Sequence, residues 1–372
     1  MKRLVLAGGG HAHVEVLRRL GLGRRSDLDV ALVSPRPLTP YSGMLPGVVA
    51  GHYTAEEACI DLVPLARFAG ARFVRGRVTG IDAHGKTVQT DDGSRLPYDV
   101  LSIDTGSVPP RNAIAGADAS GVSVKPVEPF LEAWQAVLDE RAPRARCIAV
   151  VGAGAGGVEL ALAMRARLRR MKRDTGVVLC GESPDLLPSH SSSARRRVSA
   201  AIASRGIGLR LGHRVTRVGD GKLHFADGTS IDADWIVWAT GAAAPAWLRA
   251  SGLALDPAGF VLTDASLRSV SHPAVHAAGD VATAQDHPHP RSGVYAVRQG
   301  PPLFANLMRA LDGETPCPWV PQRRTLALLS TGDGAAIASW GVFAVTGAWA
   351  WWWKDRIDRG FMARYRDAAV AR

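Results

Sequence analysis

Two glycine-rich loops, each set between an apolar run and a helical pattern, constrain this chain more than any other feature. The first is Val5-Leu6-Ala7-Gly8-Gly9-Gly10-His11-Ala12-His13. The second is Ile148-Ala149-Val150-Val151-Gly152-Ala153-Gly154-Ala155-Gly156-Gly157. A loop of this kind brings backbone N–H groups to a helix N-terminus, where a pyrophosphate is favoured. Two in one chain predict two dinucleotide sites, and the simplest use of two dinucleotides is electron transfer between them.

The surroundings repeat as well. Strands are predicted over Lys2–Leu6, Asp29–Val33 and Arg72–Val78, around helices of about Ala12–Leu22 and Glu56–Phe68. This βαβ order predicts a parallel sheet. A strand from Tyr98 then ends in Thr105-Gly106. The second unit runs from Ile148–Val151 through a helix of about Gly156–Arg170 to Gly176–Cys180, and closes on a strand ending in Thr240-Gly241. Each glycine loop is thus answered by a strand ending in Thr-Gly, an internal duplication in outline. A strand at His276 leads into Gly279-Asp280, and a helix follows over about Val294–Leu311. With 372 residues the chain can hold two or three domains.

The motifs differ in quality. Gly8 and Gly10 match the dinucleotide pattern, but His13 stands where a small residue is usual, which predicts a wider helix–strand crossover. His11 is a candidate neighbour of the pyrophosphate. The pair His11 and His13 is not expected to bind metal, because two residues apart on a helix they point away from each other. Ser34 ends the second strand, where it can meet a ribose hydroxyl or simply close a turn. In the second loop Gly152, Gly154 and Gly157 all match, in the confirming strand–loop–helix context. Glu182 is the candidate for the adenosine ribose hydroxyls, favouring NADH over NADPH; Arg195, Arg196 and Arg197 are read as a solvated helix face. Asp280 can accept a ribityl hydroxyl. The helix opening near Val294 and Tyr295 can aim its dipole at the pyrimidine end of a flavin.

Hydrophobic residues make up 47% of the chain, which excludes disorder. Net charge is +11 without any nucleic-acid-binding pattern, so attraction to an anionic membrane surface is expected and nucleic-acid binding is not. Cys59, Cys147, Cys180 and Cys317 form no redox or zinc pair by spacing. Strand residues begin at Leu4, which leads to the expectation of a cytoplasmic chain without a signal peptide.

These features resemble the two-dinucleotide flavoprotein superfamily that includes type II NADH dehydrogenases and pyridine nucleotide-disulfide oxidoreductases. Four strings, Gly8 to Val14, Thr39 to Gly47, Gly293 to Gly300 and Leu329 to Gly334, are similar to the flavoprotein module found N-terminal to selenide, water dikinase. The resemblance implies that Gly8, Gly10, Thr105, Gly106, Gly279 and Asp280 bind FAD. It implies that Val78 meets the adenine through its backbone and that Ser42 and Gly43 lie near the flavin. Lys125 resembles a lysine between the two cofactor sites; the plain alternative is a surface strand end. Gly152, Gly154, Gly157, Glu182 and Gly241 fall to the nicotinamide dinucleotide. The missing redox cysteines exclude the disulfide-reductase branch and argue against sulfide oxidation.

The expected architecture is α/β, with two Rossmann-like domains and a small α+β domain. FAD binding falls to 1–112 and 244–315, NAD(P)H binding to the inserted 113–243, and a C-terminal interface domain to 316–372. No charged residue occurs from Ala335 to Trp353, which is read as a β-hairpin rather than a membrane span. Trp349, Trp353, Ile357, Phe361 and Tyr365 recur every fourth residue and are read as one aromatic face of a helix. That face would meet a membrane interface, the protein's own sheet or a twin subunit in a homodimer.

The leading expectation is an FAD-dependent NAD(P)H oxidoreductase that passes hydride to flavin N5 and electrons to a second acceptor, with a quinone favoured. Peripheral attachment to the inner face of the cell membrane goes with it. Two alternatives stay open, a reductase of selenium or sulfur species and a flavin-binding partner protein without turnover.

Overall fold

The computed structural model describes residues 1–110, 114–117, 119–139 and 146–370; the expected boundary at 112/113 lies outside them. The α-helices are, in chain order, α1 (His11–Leu22), α2 (Leu45–Ala50), α3 (Leu62–Ala69), α4 (Val127–Leu138), α5 (Ala155–Arg170), α6 (Ser192–Ser204), α7 (Gly293–Asp312) and α8 (Ala348–Val370).

Two five-stranded parallel sheets carry the glycine loops. Across the first, the strands run in the order Val275–Ala277, Val100–Ile103, Lys2–Ala7, Leu28–Ser34, Ala71–Arg75. Across the second, the order is Val122–Ser123, Trp235–Trp238, Cys147–Val151, Gly176–Gly181, Gly208–Leu211. In both, the strand leading into the glycine loop lies beside the strand leading to Thr-Gly, with Val5 opposite Leu101 and Val150 opposite Val237. The duplication is therefore one of topology. All strands of the second sheet fall between residues 122 and 238, and those of the first lie on either side in sequence. Both are packed as parallel sheets must be, with apolar strands buried under helices.

Two expected elements are different. The strand expected over Arg72–Val78 stops at Arg75. The Gly76 N–H donates to the Ser34 carbonyl and the Arg77 N–H to Asp91, which turns the chain out of the sheet. Val78 instead opens a strand of a separate antiparallel sheet, Val78–Asp82 with Thr87–Thr90 and Arg95–Pro97. The helix expected over Glu56–Phe68 is three pieces: a 3-10 turn at Glu56–Ala58, a strand at Cys59–Asp61 and then α3. Asp61 caps α3 by accepting from the Val63 N–H, and Pro64 falls in the first turn. Proline is tolerated there and would break a longer helix in its interior.

The crossover after the first loop does have room for a large residue. His13 is buried, with Nδ1 at 2.6 Å from the Gly8 carbonyl and Nε2 at 2.8 Å from Ser102 Oγ. At the matching place in the second loop only glycine fits, because a Cβ on Gly157 would lie 1.8 Å from the Gly152 carbonyl.

The C-terminal segment is an antiparallel sheet, Ala327–Ser330, Ala336–Trp340 and Phe343–Gly347, followed by α8. The expected hairpin is present. Ile337 and Ala344 join the core of the second half, while Phe361, Met362 and Tyr365 join the core of the first. No helix among the described residues is long and apolar enough to cross a membrane. The expected single aromatic face of α8 is split. Trp349, Trp353 and Ile357 are exposed, whereas Phe361 and Tyr365 are buried. A spacing of four advances about 40° per step on a helix of 3.6 residues per turn, so the stripe drifts from one side to the other.

The buried side of α8 carries charge. Lys354 and Asp358 pair at 2.7 Å with side chains 8% and 4% exposed. Lys354→Met should leave Asp358 buried and uncompensated and lower stability by about 3–5 kcal/mol. The Lys354→Met/Asp358→Leu double variant should recover most of that loss. Denaturant melts of the two variants and the wild type check it.

Candidate active site

The first glycine loop is shaped by one residue, Asp104, at the end of the strand Val100–Ile103. Gly8 has φ +101°, and a Cβ on it would lie 2.4 Å from the Asp104 carbonyl. The Asp104 side chain then passes under the loop to the N-terminus of α1. Its Oδ2 accepts from the Ala12 N–H at 2.9 Å and the His13 N–H at 3.1 Å. A Cβ on Gly10 would lie 2.3 Å from Oδ1, and one on Gly279 2.5 Å from the same atom. Three glycines from two motifs thus converge on one acidic residue. Burial pushes the Asp104 carboxyl up to about 7, against the pull of the two N–H groups.

Around this cradle two polar atoms, Thr105 Oγ1 and His11 Nε2, are shut away from solvent and have no partner among the described residues. Burial lowers His11 to about 4, and its ring contacts the Pro40 carbonyl. Ser34 is buried and donates to the Arg36 carbonyl at 2.9 Å, so its hydroxyl keeps only acceptor capacity for another group. Gly106 has open space around it.

The Gly279-Asp280 loop is pinned from α7. Gln299 Oε1 accepts from the Gly279 N–H at 2.7 Å. Lys125 Nζ lies 2.8 Å from Asp280 Oδ2. Lys125 follows the edge strand of the second sheet and Asp280 follows the edge strand of the first. The carboxyl ends of the two sheets therefore meet at this pair. Ser42 comes to the start of α7, where a Cβ on Gly293 would lie 3.0 Å from its hydroxyl. Val294 is exposed there, while Tyr295 is turned away, stacked on His289 at 4.4 Å and donating to the Gln322 carbonyl.

The second loop is more open. Gly152 has φ +126°, and a Cβ on it would lie 2.2 Å from the Ala239 carbonyl. A Cβ on Gly154, Gly156 or Gly241 would meet nothing within 4 Å. Gly154 is the N-cap of α5, whose N-terminus has no side-chain acceptor. Glu182 follows the strand Gly176–Gly181 directly and is exposed. Of the arginines read as a solvated face, Arg195 pairs with Asp185, but Arg197 donates to the Ala344 carbonyl at 2.6 Å and ties α6 to the C-terminal sheet.

A group of charges links α8 to this region. Lys354 Nζ donates to the Gly43 carbonyl at 2.7 Å as well as to Asp358. Asp358 accepts from the Tyr41 hydroxyl. Glu159, on α5, accepts from the Ser330 N–H at 2.7 Å and faces Lys354; burial pushes it up to about 7. Asp104, Glu159, Gln299, Tyr41, Lys354 and Asp358 are not marked as site residues by any motif in the sequence. One signal was available: laying Asp104-Thr105-Gly106 over Ala239-Thr240-Gly241 exposes the aspartate as the odd residue.

Cys59, Cys147, Cys180 and Cys317 are all free thiols. Burial pushes Cys59 up to about 11 and Cys180 to about 12, so both stay protonated at neutral pH. Among the described residues no His, Cys, Asp and Glu group is arranged for a metal.

Paired Rossmann-like sheets with facing carboxyl ends define a two-dinucleotide oxidoreductase. Residues 2–300 match the family described as pyridine nucleotide-disulphide oxidoreductase. An NADH dehydrogenase-like protein of Mycobacterium tuberculosis is 30% identical over 304 residues, covering 77% of this chain and 74% of that protein. The type II NADH:quinone oxidoreductase Ndh of the same organism is 25% identical over 380 residues, covering 93% and 80%. The solved sulfide:quinone oxidoreductase of Aquifex aeolicus superposes with a TM-score of 0.85 at 18% identity, covering 100% of this chain and 93% of that one. The chain belongs to the pyridine nucleotide-disulphide oxidoreductase family, and is an FAD-dependent oxidoreductase that uses NAD(P)H.

The Asp104 carboxyl has an observable consequence in FAD-free protein. Its folded value, about 7, is above the ordinary 3.8, so its stabilising contribution is complete below about pH 4 and is lost as pH rises to 7. Asp104→Asn keeps an oxygen for the two N–H groups and cannot ionise. Its stability relative to the wild type should therefore rise from pH 5 to pH 8, by on the order of 2–3 kcal/mol. Denaturant melts at the two pH values check this, and an unchanged difference would contradict it.

Proposed function

We propose that the chain oxidises NADH through FAD held at the first loop and passes the electrons to a quinone at a membrane surface. The observation that carries this reading is the outer face of the C-terminal segment. Phe343 is 72% and Trp352 64% exposed, and Trp340, Val342, Val345, Trp349, Trp353 and Ile357 are exposed with them. Aromatic side chains of this kind suit a lipid interface, and the exposed Arg356 on the same helix suits anionic headgroups. The opposite side of α8 reaches the Tyr41–Gly43 turn through Lys354 and Asp358. A lipid-soluble acceptor would have its route along this segment. The relative named as a type II NADH:quinone oxidoreductase supports the same acceptor.

The first loop suits a flavin dinucleotide. Gly8 and Gly10 let the loop and the α1 N-terminus lie tightly over Asp104, and Thr105 and His11 offer buried polar atoms that need partners. Asp280 would accept a ribityl hydroxyl while Lys125 holds its other side. Ser42, Gly43 and the start of α7 at Val294 would border the isoalloxazine, whose reduced charge the helix dipole favours. Tyr295 would support that helix rather than touch the ring. Val78 would meet the adenine through its backbone and Ser34 the ribose. Gly152, Gly154, Gly157 and Gly241 would seat the nicotinamide dinucleotide, with Glu182 on the adenosine ribose favouring NADH. FAD held there would supply the capacity to accept hydride from the nicotinamide and to release the electrons to the second acceptor.

Reduction of a quinone by NADH also takes one proton from solvent. The buried group of Glu159, Asp358 and Lys354 has two carboxylates to one ammonium, with Glu159 near 7, and is suited to hold that proton.

The test is acceptor range. Holoprotein reduced anaerobically by NADH should lose its visible flavin absorbance and regain it on adding a soluble quinone. Reoxidation by selenite but not by quinone would overturn the acceptor, and no bleaching by NADH or NADPH would overturn the whole reading. Replacing Phe343, Trp349 and Trp352 together by Ser should cut binding to anionic vesicles at least tenfold, while leaving NADH bleaching unchanged. A flotation assay reads it, and undiminished flotation would count against the membrane role.

A further inference from the structure

We infer that Asp104 couples FAD loading to proton uptake: its carboxylate and the flavin pyrophosphate compete for the N-terminus of α1, and the cofactor seats tightly only when Asp104 is protonated. This rests on the first loop being the FAD site.

The geometry carries the inference in three steps. A helix leaves its first four N–H groups without internal partners, and these attract a dinucleotide phosphate. In α1 two of them, on Ala12 and His13, are already taken by Asp104 Oδ2. The positive end of the helix thus has a resident acid. Second, Oδ1 accepts no hydrogen bond among the described residues and lies against Gly10 and Gly279, inside the loop itself. A proton on Oδ1 would remove the charge and leave the two N–H contacts of Oδ2 intact. Third, the other half of the molecule has no acid at the matching place. The Gly152 contact with the Ala239 carbonyl repeats the Gly8 contact with the Asp104 carbonyl, so Ala239 is the counterpart of Asp104. The carboxylate is therefore an addition particular to the first loop.

Among the described residues no cation is paired with it. From the Gly-Asp loop the facing charge is Asp280, itself negative, and the nearby ammonium of Lys125 is engaged by Asp280. From α1 the facing groups are His11 and His13, both held neutral by burial at about 4, with His13 bonded to Gly8 and Ser102. From α7 it is the uncharged Gln299. A pyrophosphate arriving at the same helix end adds negative charge in a desolvated place, which disfavours the ionised acid further. Without the cofactor, burial pushes the Asp104 carboxyl up to about 7. Above that pH, binding must draw one proton from solvent onto Asp104. Below it, the proton is already there.

The linkage fixes the sign. The dissociation constant of FAD should be flat at acidic pH and should rise above about pH 7, by up to tenfold per pH unit. Full-length holoprotein, diluted into buffers from about pH 6 to about pH 9, gives the constant from the fluorescence of released FAD. Asp104→Asn and Asp104→Ala should each abolish the slope and hold FAD more tightly than the wild type at the alkaline end. A purely structural aspartate would change affinity and leave the slope in place, so a slope retained in both variants overturns the inference. So does a pH-independent constant in the wild type, which decides the matter even if both variants fail to fold. Absence of FAD binding at every pH would overturn the assignment of the first loop instead.

Discussion

The structure depends on a backbone contact made twice. The end of one strand crosses a glycine loop so closely that no side chain can stand between them. In the first half the contact is Gly8 with the Asp104 carbonyl, and in the second it is Gly152 with the Ala239 carbonyl. Each contact fixes where the Thr-Gly turn leaves its sheet, and hence which way the sheet's carboxyl end opens. With both openings fixed, the halves can be set mouth to mouth, and Lys125 meets Asp280 across the join. That pair is half exposed on the lysine side, so it adds little stability. Its consequence is positional: the residue after one sheet is held against the loop after the other.

The C-terminal helix is registered by polar contacts and stabilised by apolar ones. Phe361, Met362 and Tyr365 supply the burial. They would tolerate some rotation or sliding of the helix, as apolar surfaces do. The polar contacts would not. Lys354 meets the Gly43 carbonyl, Tyr53 donates to Asp355 at 2.7 Å, and Tyr365 donates to Glu15 at 3.1 Å. Only one rotation of α8 satisfies all three. A well-packed apolar set would give equal or greater stability than the buried Lys354–Asp358 pair. The pair instead specifies one placement, which keeps Trp349, Trp352 and Trp353 on the outside and the Tyr41–Gly43 turn in place.

Much of the architecture was legible because glycine clusters bounded apolar runs of strand length. The two sheets, the helices after both loops and the C-terminal hairpin follow from that pattern. The piece at Glu56–Phe68 was misread although Asp61 and Pro64 mark a helix start. The apolar periodicity ran through the break and masked it. The stripe of α8 was misread because a spacing of four looks like one face over two turns and is not one over four. The candidate site was legible in its glycines and in Asp280 and Lys125, whose types announce their chemistry. Asp104 was not, since its partners on α1 are about ninety residues away in sequence. Lys354 and Asp358 have the i, i+4 spacing common to surface pairs, which does not single them out. Only the fold shows that their side of the helix is the buried one.

The duplicated halves have diverged in how much solvent they exclude. At the first loop Gly8 is buried, and His13, Ser102, Asp104 and His276 form a polar layer beneath it with no access to water. At the second, Gly154, Gly156, Gly241 and Glu182 are exposed and the α5 N-terminus has no side-chain cap. A desolvated cradle makes every contact to a ligand stronger and every departure slower. An open one allows exchange on each turnover. Under the proposed reading FAD stays and the nicotinamide dinucleotide visits, and this difference in burial is what such a division of labour requires. The same difference explains why an acid is tolerable under the first loop alone. A ligand that is loaded once can wait for a proton, whereas one that must come and go with every cycle cannot.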